Sequence, residues 1–195
     1  NYGSENFLEQ IVMINVHPSS NSTNNSTSMR LLVFLIVFIT TSSGFAQESS
    51  QYFKSAIGKA QAGDMPGAIS DFDKSISLDP KYADAYYWRG VAKAAIGQAN
   101  AALSDFEKCT SLDPNNAQAY LTAGNLYNQQ GNPKAALTNL NPAVELLPDN
   151  LDARLNRGRA LTNLAQHEKA IADYTFVINK ERSHFDAHIN RGISY

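Results

Sequence analysis

The sequence predicts an all-α protein assembled from copies of one two-helix unit. Three observations lead there. Residues 79–90 (DPKYADAYYWRG) are echoed 34 residues later by 113–124 (DPNNAQAYLTAG). Gly90, Gly124, Gly158 and Gly192 keep the same spacing of 34. Pro80, Pro114 and Pro148 keep it too, each at the end of an apolar run that proline cannot continue as helix; Arg182 breaks that series.

From the N-terminus, residues 1–28 (NYGSENFLEQIVMINVHPSSNSTNNSTS) lack an initiating Met and end in a Ser/Thr/Asn run. Such a stretch buries too little apolar surface to fold, so it reads as a disordered or non-native leader ahead of a start at Met29. Sequons within it, such as Asn21-Ser22-Thr23, would then never become glycosylation sites. Residues 29–46 (MRLLVFLIVFITTSSGFA) read as a signal peptide: Met29, the cation Arg30, the apolar core Leu31–Ile39 and the polar, turn-prone Thr40–Gly44. Gly44 and Ala46 are the small residues at −3 and −1 of a cut before Gln47. The nine-residue core is well short of the roughly 20 residues that span a bilayer as helix. No permanent membrane span is expected after cleavage, and no Cys follows the core to carry a lipid. The expected location is outside the cytoplasm, periplasmic or extracellular.

From Ser49 the chain divides without insertions into 49–82, 83–116, 117–150, 151–184 and a partial 185–195. Ala56 takes the glycine slot in the first block. Ala68, Ala102, Ala136 and Ala170 form a second series, and Phe72, Phe106, Leu140 and Tyr174 a third. Small residues mark where two helices cross closely, and the large ones fill the gap between them. Gly63, Gly97 and Gly131, with Ala165 in the fourth block, sit where the first helix ends. Asp64 with Pro66, and Asn132 with Pro133, open the second helix as caps. Pro142 falls inside a second helix, removes one backbone bond at a cost of about 3 kcal/mol, and predicts a kink. Tyr195 closes the first half of a fifth block, so the sequence looks truncated and the apolar face of 185–195 is expected to lie under further residues.

Period, small–large–small spacing and terminal Pro in four consecutive blocks, 49–184, resemble the tetratricopeptide repeat (TPR) family. The resemblance implies an α-solenoid of antiparallel helix pairs, a right-handed superhelix whose first helices line a concave groove. One block cannot bury its apolar face alone, so stability comes from stacking.

The register sorts the AYYWRG stretch, 85–90, slot by slot. Tyr86 recurs as Tyr52 and Tyr120 and reads as packing between paired helices. Arg89 recurs as Arg157 and Arg191, and an acid stands 16 residues later in Asp105 and Asp173. The third block holds Ala123 and Asn139 in those slots, losing both charges together. This points to structural ion pairs, Arg89–Asp105 and Arg157–Asp173, with Arg as a two-pronged donor. A rival pairing, Asp71 with Arg89 and Asp173 with Arg191, crosses blocks. Tyr87 shares its slot with Phe53, Leu121, Leu155 and Ile189, all apolar. Trp88 stands where the other blocks have Lys54, Thr122, Asn156 and Asn190, all polar. Two readings of Trp88 are open, a binding anchor and a ring lying on a neighbouring helix.

By resemblance, the candidate groove has an apolar mouth of Ile57 and Val91 with Ala60 and Ala94, beside Phe53, Tyr87 and Trp88, and Leu121 continues the Tyr87 slot in the third block. An amide-rich wall of Asn125, Asn128, Gln129, Asn156, Arg159 and Asn163 follows. Amides both donate to and accept from an extended peptide backbone, or they simply keep a surface wet. Some family members clamp a partner's C-terminal carboxylate with Lys, Arg and Asn. Here Asn125 and Asn156 occupy the two Asn slots, but the basic slots hold Leu121, Asp186 and Asn190, so the charge is missing.

A net charge of −2 with 17% charged residues gives no basic surface for nucleic acid. Cys109, the only cysteine, excludes an intrachain disulfide and reads as a small buried apolar residue. His184 and His188 straddle an inter-block turn and read as surface residues. No phosphate loop, nucleophile elbow or Ser/His/Asp set appears, so no enzyme activity, metal or cofactor is expected. The expected function is a protein–protein interaction module of an exported protein, binding a peptide or protein partner in the groove. The alternative is an N-terminal scaffold or regulatory segment of a longer protein with an enzymatic or membrane-linked domain.

Overall fold

Gly63, Gly97 and Gly131 have φ of +86°, +78° and +70°, the left-handed backbone that glycine adopts at little cost, and each ends a helix. Ala165 takes the same turn at φ +55° in the fourth block, where a Cβ makes it strained. The structure is a computed structural model and describes residues 44–195. Expectations for the leader and for nearly all of the signal peptide concern residues outside that range.

Among the described residues there are nine helices and no strand. They are α1 (44–61), α2 (Met65–Leu78), α3 (Ala83–Ala95), α4 (Ala99–Leu112), α5 (Ala117–Gln129), α6 (Pro133–Leu146), α7 (Leu151–Asn163), α8 (His167–Lys180) and α9 (Phe185–Ile193). Helix α1 already includes 44–48, ahead of the first block boundary. Helices α1 and α2 make the first block, α3 to α8 fall two to a block, and α9 is the single helix of the partial fifth. Each packs against the next in sequence, and α5 also touches α7, so consecutive first helices lie side by side. The result is a solenoid of helix pairs.

Short polar side chains start several of the helices. Asp64 accepts from Gly67 N at 2.9 Å, Asn116 from Ala119 N at 3.0 Å and Asn150 from Ala153 N at 2.8 Å. Each satisfies a backbone donor that the helix itself leaves open. The turns between blocks are tied in the same way, Asp79 accepting from Lys81 N and Asp113 from Asn115 N, both at 3.0 Å. Helix α6 runs unbroken through Pro142.

The core is the contact of small residue on large. A Cβ built on Gly90 would stand 2.7 Å from Phe106 Cε1, on Gly124 2.5 Å from Leu140 Cγ, and on Gly158 2.6 Å from Tyr174 Cε1. All are too close for a side chain, so glycine is what lets the helices of a pair approach. Phe72, Phe106, Leu140 and Tyr174 are fully buried, as are Ala68, Ala102, Ala136 and Ala170. Cys109 is buried with them, and desolvation pushes its thiol up to about 11.

Candidate functional site

The polar clasps of the first, second and fourth blocks lie beside that core. Arg89 Nε donates to Asp105 Oδ2 at 2.9 Å and Nη2 to Oδ1 at 2.5 Å. Arg157 makes the same two-pronged contact with Asp173, both bonds at 2.7 Å. Hydrogen bonding to Asp173 holds the Arg157 guanidinium in its charged form. The rival pairing is absent. Asp71 is held instead by Lys59 Nζ at 2.6 Å and Ser55 Oγ at 2.7 Å, and Arg191 donates to Thr175 Oγ1 at 3.4 Å. Ser55 fills the arginine slot of the first block, so the same acid is clasped by a smaller donor. The bond from Lys59, then that from Ser55, holds the Asp71 carboxyl below its usual 3.8. Lys93 joins Asp105 at 2.8 Å. Sequence reasoning passed over Lys59 and Lys93, although their spacing of 34 residues was visible. In the third block Asn139 turns its Nδ2 back to Ala135 O at 3.0 Å.

Tyr86 departs from its expected place. It is half-buried, its hydroxyl donates to Pro80 O in the preceding turn at 3.3 Å, and Arg89 lies over its ring at 5.4 Å. The buried crossing itself belongs to Gly90, so Tyr86 braces a turn. Ring and cation trade places along the array. Tyr52 carries Lys74 at 5.1 Å in the first block, and in the same two slots of the fourth block Arg154 lies over Phe176 at 3.8 Å.

The proposed groove residues divide into three groups. Phe53, Ile57, Tyr87 and Val91 are half-buried and pack on the core, with Phe53 5.8 Å from Phe72 and Tyr87 5.9 Å from Phe106, ring centre to centre. Leu121 must be withdrawn as a groove residue. At 4% exposure it lies in the core with Leu140 and Val144 and offers no surface to a ligand. Its slot is apolar in every block, so sequence alone did not separate it from Tyr87.

Trp88 is 40% exposed, with its ring edge-on to Tyr87 at 5.2 Å. Arg159 and Asn163 are exposed; Asn125, Asn128 and Asn156 are half-buried. Asn128 Nδ2 donates to Asn156 O at 2.9 Å across the third and fourth blocks, and Asn156 Nδ2 to Asp152 O at 2.8 Å. The side-chain oxygens of Asn125 and Asn128 are buried with no hydrogen-bond donor. An unmet buried acceptor costs about 1–3 kcal/mol. These two concentrate that cost on adjacent turns of one helix.

His184 caps α9 through Nδ1, which accepts from Ala187 N at 3.3 Å, and His188 Nε2 lies 2.9 Å from Arg182 O. Both are occupied with the turn. Among the described residues no group of three His, Cys, Asp or Glu could hold a metal, and no helix is long and apolar enough to cross a membrane. The exposed apolar residues Phe185, Ile189 and Ile193 follow one face of α9.

Comparison with known proteins agrees with this architecture. Sequence models described as TPR repeat match residues 59–97, and models described as tetratricopeptide repeat match 93–144 and 121–175. No curated protein matches the chain. Among solved structures, a MamA protein superimposes with TM-score 0.72 at 26% identity, covering 76% of this chain and 81% of its own. YrrB, described as a TPR protein with an unusual peptide-binding site, gives 0.71 at 28% identity, covering 74% of each chain. A MamA chain from Desulfovibrio magneticus gives 0.70 at 21% identity, covering 75% and 83%, and shows the shared fold. With the helix pairs, the glycine crossings and these matches together, residues 59–175 belong to the tetratricopeptide repeat family.

Proposed function

We propose that the face made by the first helices binds an extended peptide segment of a partner protein. The observation that carries this reading is Trp88: a large aromatic, 40% exposed, in a slot that the other blocks fill with polar residues. Its packing contact is the edge of Tyr87, which leaves a face for a ligand. The amides of Asn125 and Asn128 support it, because a rotation of either half-buried side chain would bring its unmet oxygen, covered in the free protein, to a peptide N–H. The likeness to YrrB, a protein with a peptide-binding site, points the same way. The chain acts on this reading as a non-catalytic scaffold of an exported protein, the export resting on the signal-like 29–46 alone.

The test is selection of peptides from a displayed library on the full chain, followed by affinity measurement. Trp88→Ala and Asn125→Ala are each expected to weaken a selected peptide about tenfold or more. Unchanged affinity in both, with the fold intact by circular dichroism, would remove this face from the site. A second reading, a scaffold within a longer polypeptide, draws on the apolar face of α9, where Phe185 is 72% and Ile193 65% exposed. Immunoblotting of the native protein for its length separates the two.

A further inference from the structure

The array contains the same joint between consecutive blocks several times, and one copy lacks a part. At the first joint, Arg89 Nη1, the nitrogen left over from the Asp105 clasp, donates to Asp73 Oδ1 of the preceding block at 2.6 Å. At the last joint, Arg191 Nη1 reaches Thr175 Oγ1 at 3.4 Å. Both acceptors stand 16 residues before their arginine. At the second joint the arginine is replaced by Ala123, and the acceptor Glu107 takes the Tyr127 hydroxyl instead, at 3.1 Å. The remaining joint keeps its arginine, Arg157, and its acceptor slot holds Asn141. Among the described residues Arg157 Nη1 makes no hydrogen bond, and Asn141 makes none through its side chain.

A cleft of about 420 Å³ opens at that place, between α6 and α8 with α7 as its floor. Arg154, Arg157 and Lys169 line it against one carboxylate, Asp173, which is buried and already engaged by both arginines. Arg154 is held over Phe176 and by Pro148 O, and Arg157 by Asp173, so both guanidiniums are fixed before any ligand arrives. The cleft lies away from the proposed peptide face. Arg154 and Arg157 precede Asn156 and Arg159 by two positions each, which at 3.6 residues per turn is roughly 200° around α7.

We propose that this cleft is a carboxylate-binding site, taking the group that Asp73 supplies to Arg89 at the first joint. An Asp or Glu side chain of a partner, or a small free dicarboxylate, carries that chemistry. A planar guanidinium with an open nitrogen pairs with a carboxylate in a directed geometry, and a partly buried site limits screening by salt.

The test uses the full chain, titrated with a blocked Glu-containing hexapeptide, its Gln counterpart and glutarate, and followed by the arginine Nε–H resonances in nuclear magnetic resonance. The Glu peptide or glutarate is expected to shift the Arg157 signal saturably, with the Gln peptide at least tenfold weaker. The tighter of the two acids identifies the source. Asn141→Asp supplies the missing carboxylate from within, so it should abolish binding and raise the melting temperature. Lys169→Gln, at an exposed position, should weaken binding severalfold with the melting temperature unchanged. Trp88→Ala should leave the titration as it is, which separates this site from the peptide face. The proposal is overturned if neither acid shifts Arg157, if the Gln peptide binds equally, or if binding survives Asn141→Asp.

Discussion

The second and third blocks solve the same packing problem with different chemistry. In the second, Gly90 meets Phe106, and Arg89 and Lys93 converge on Asp105 beside them. In the third, Gly124 meets Leu140, while Ala123 and Asn139 leave no charge to pair. The helices cross closely in both. The small–large contact is therefore what the pair of helices requires. The ion pair is an addition that must be complete or absent, because half of it would leave a buried charge without a partner.

Removing half of the clasp should be the largest effect. Asp105→Ala leaves Lys93 without its acid and Arg89 with Asp73 alone, and is expected to lower stability by about 3 kcal/mol in urea unfolding. Asn139→Ala in the third block should cost well under about 1 kcal/mol, since a helix-surface side chain is lost and no charge is stranded. Equal losses would break the comparison.

The crossing itself is tested by adding a methyl. Gly124→Ala should lower stability by about 1–3 kcal/mol through overpacking against Leu140. Gly192→Ala, where nothing stands within 4 Å of the added carbon, should be neutral or stabilise by up to about 1 kcal/mol through helix propensity. Calorimetry of the two variants side by side reads the difference.

Acid sharpens the same contrast. The folded Asp71 carboxyl is held below its ordinary value by Lys59 and Ser55, so its contribution is fully present above about pH 4. It is lost as pH falls through the depressed folded value. Wild type should therefore lose more stability than Asp71→Asn as pH falls below about 4, with parallel curves above about pH 5. Parallel curves at every pH would remove the clasp from the acid response.

Much of this was legible in the sequence because the fold depends on recurrence. The glycine, alanine and aromatic series set the helix pairs, and the joint loss of Arg and Asp in the third block located the clasp. Three features escaped. Leu121 and Tyr87 share an apolar slot, yet one is buried and the other half-exposed, because burial depends on the residues opposite and not on the slot. Lys59 and Lys93 were readable as a recurrence but look like ordinary surface lysines until the acid beneath them is seen. The acceptor slot of Asp73, Glu107, Asn141 and Thr175 changes residue type at every step, so only geometry shows that Asp73, Glu107 and Thr175 each tie their block to the next.

The first two blocks present aromatic rings on the first-helix face, and the last two present amides. On the proposed function a peptide spans from one to the other. Trp88 is the only tryptophan, so its emission reports that face alone. A selected peptide, titrated while its own binding is followed by anisotropy of a label, should shift Trp88 emission to the blue with the same midpoint. Saturable binding with Trp88 emission unchanged would contradict the account.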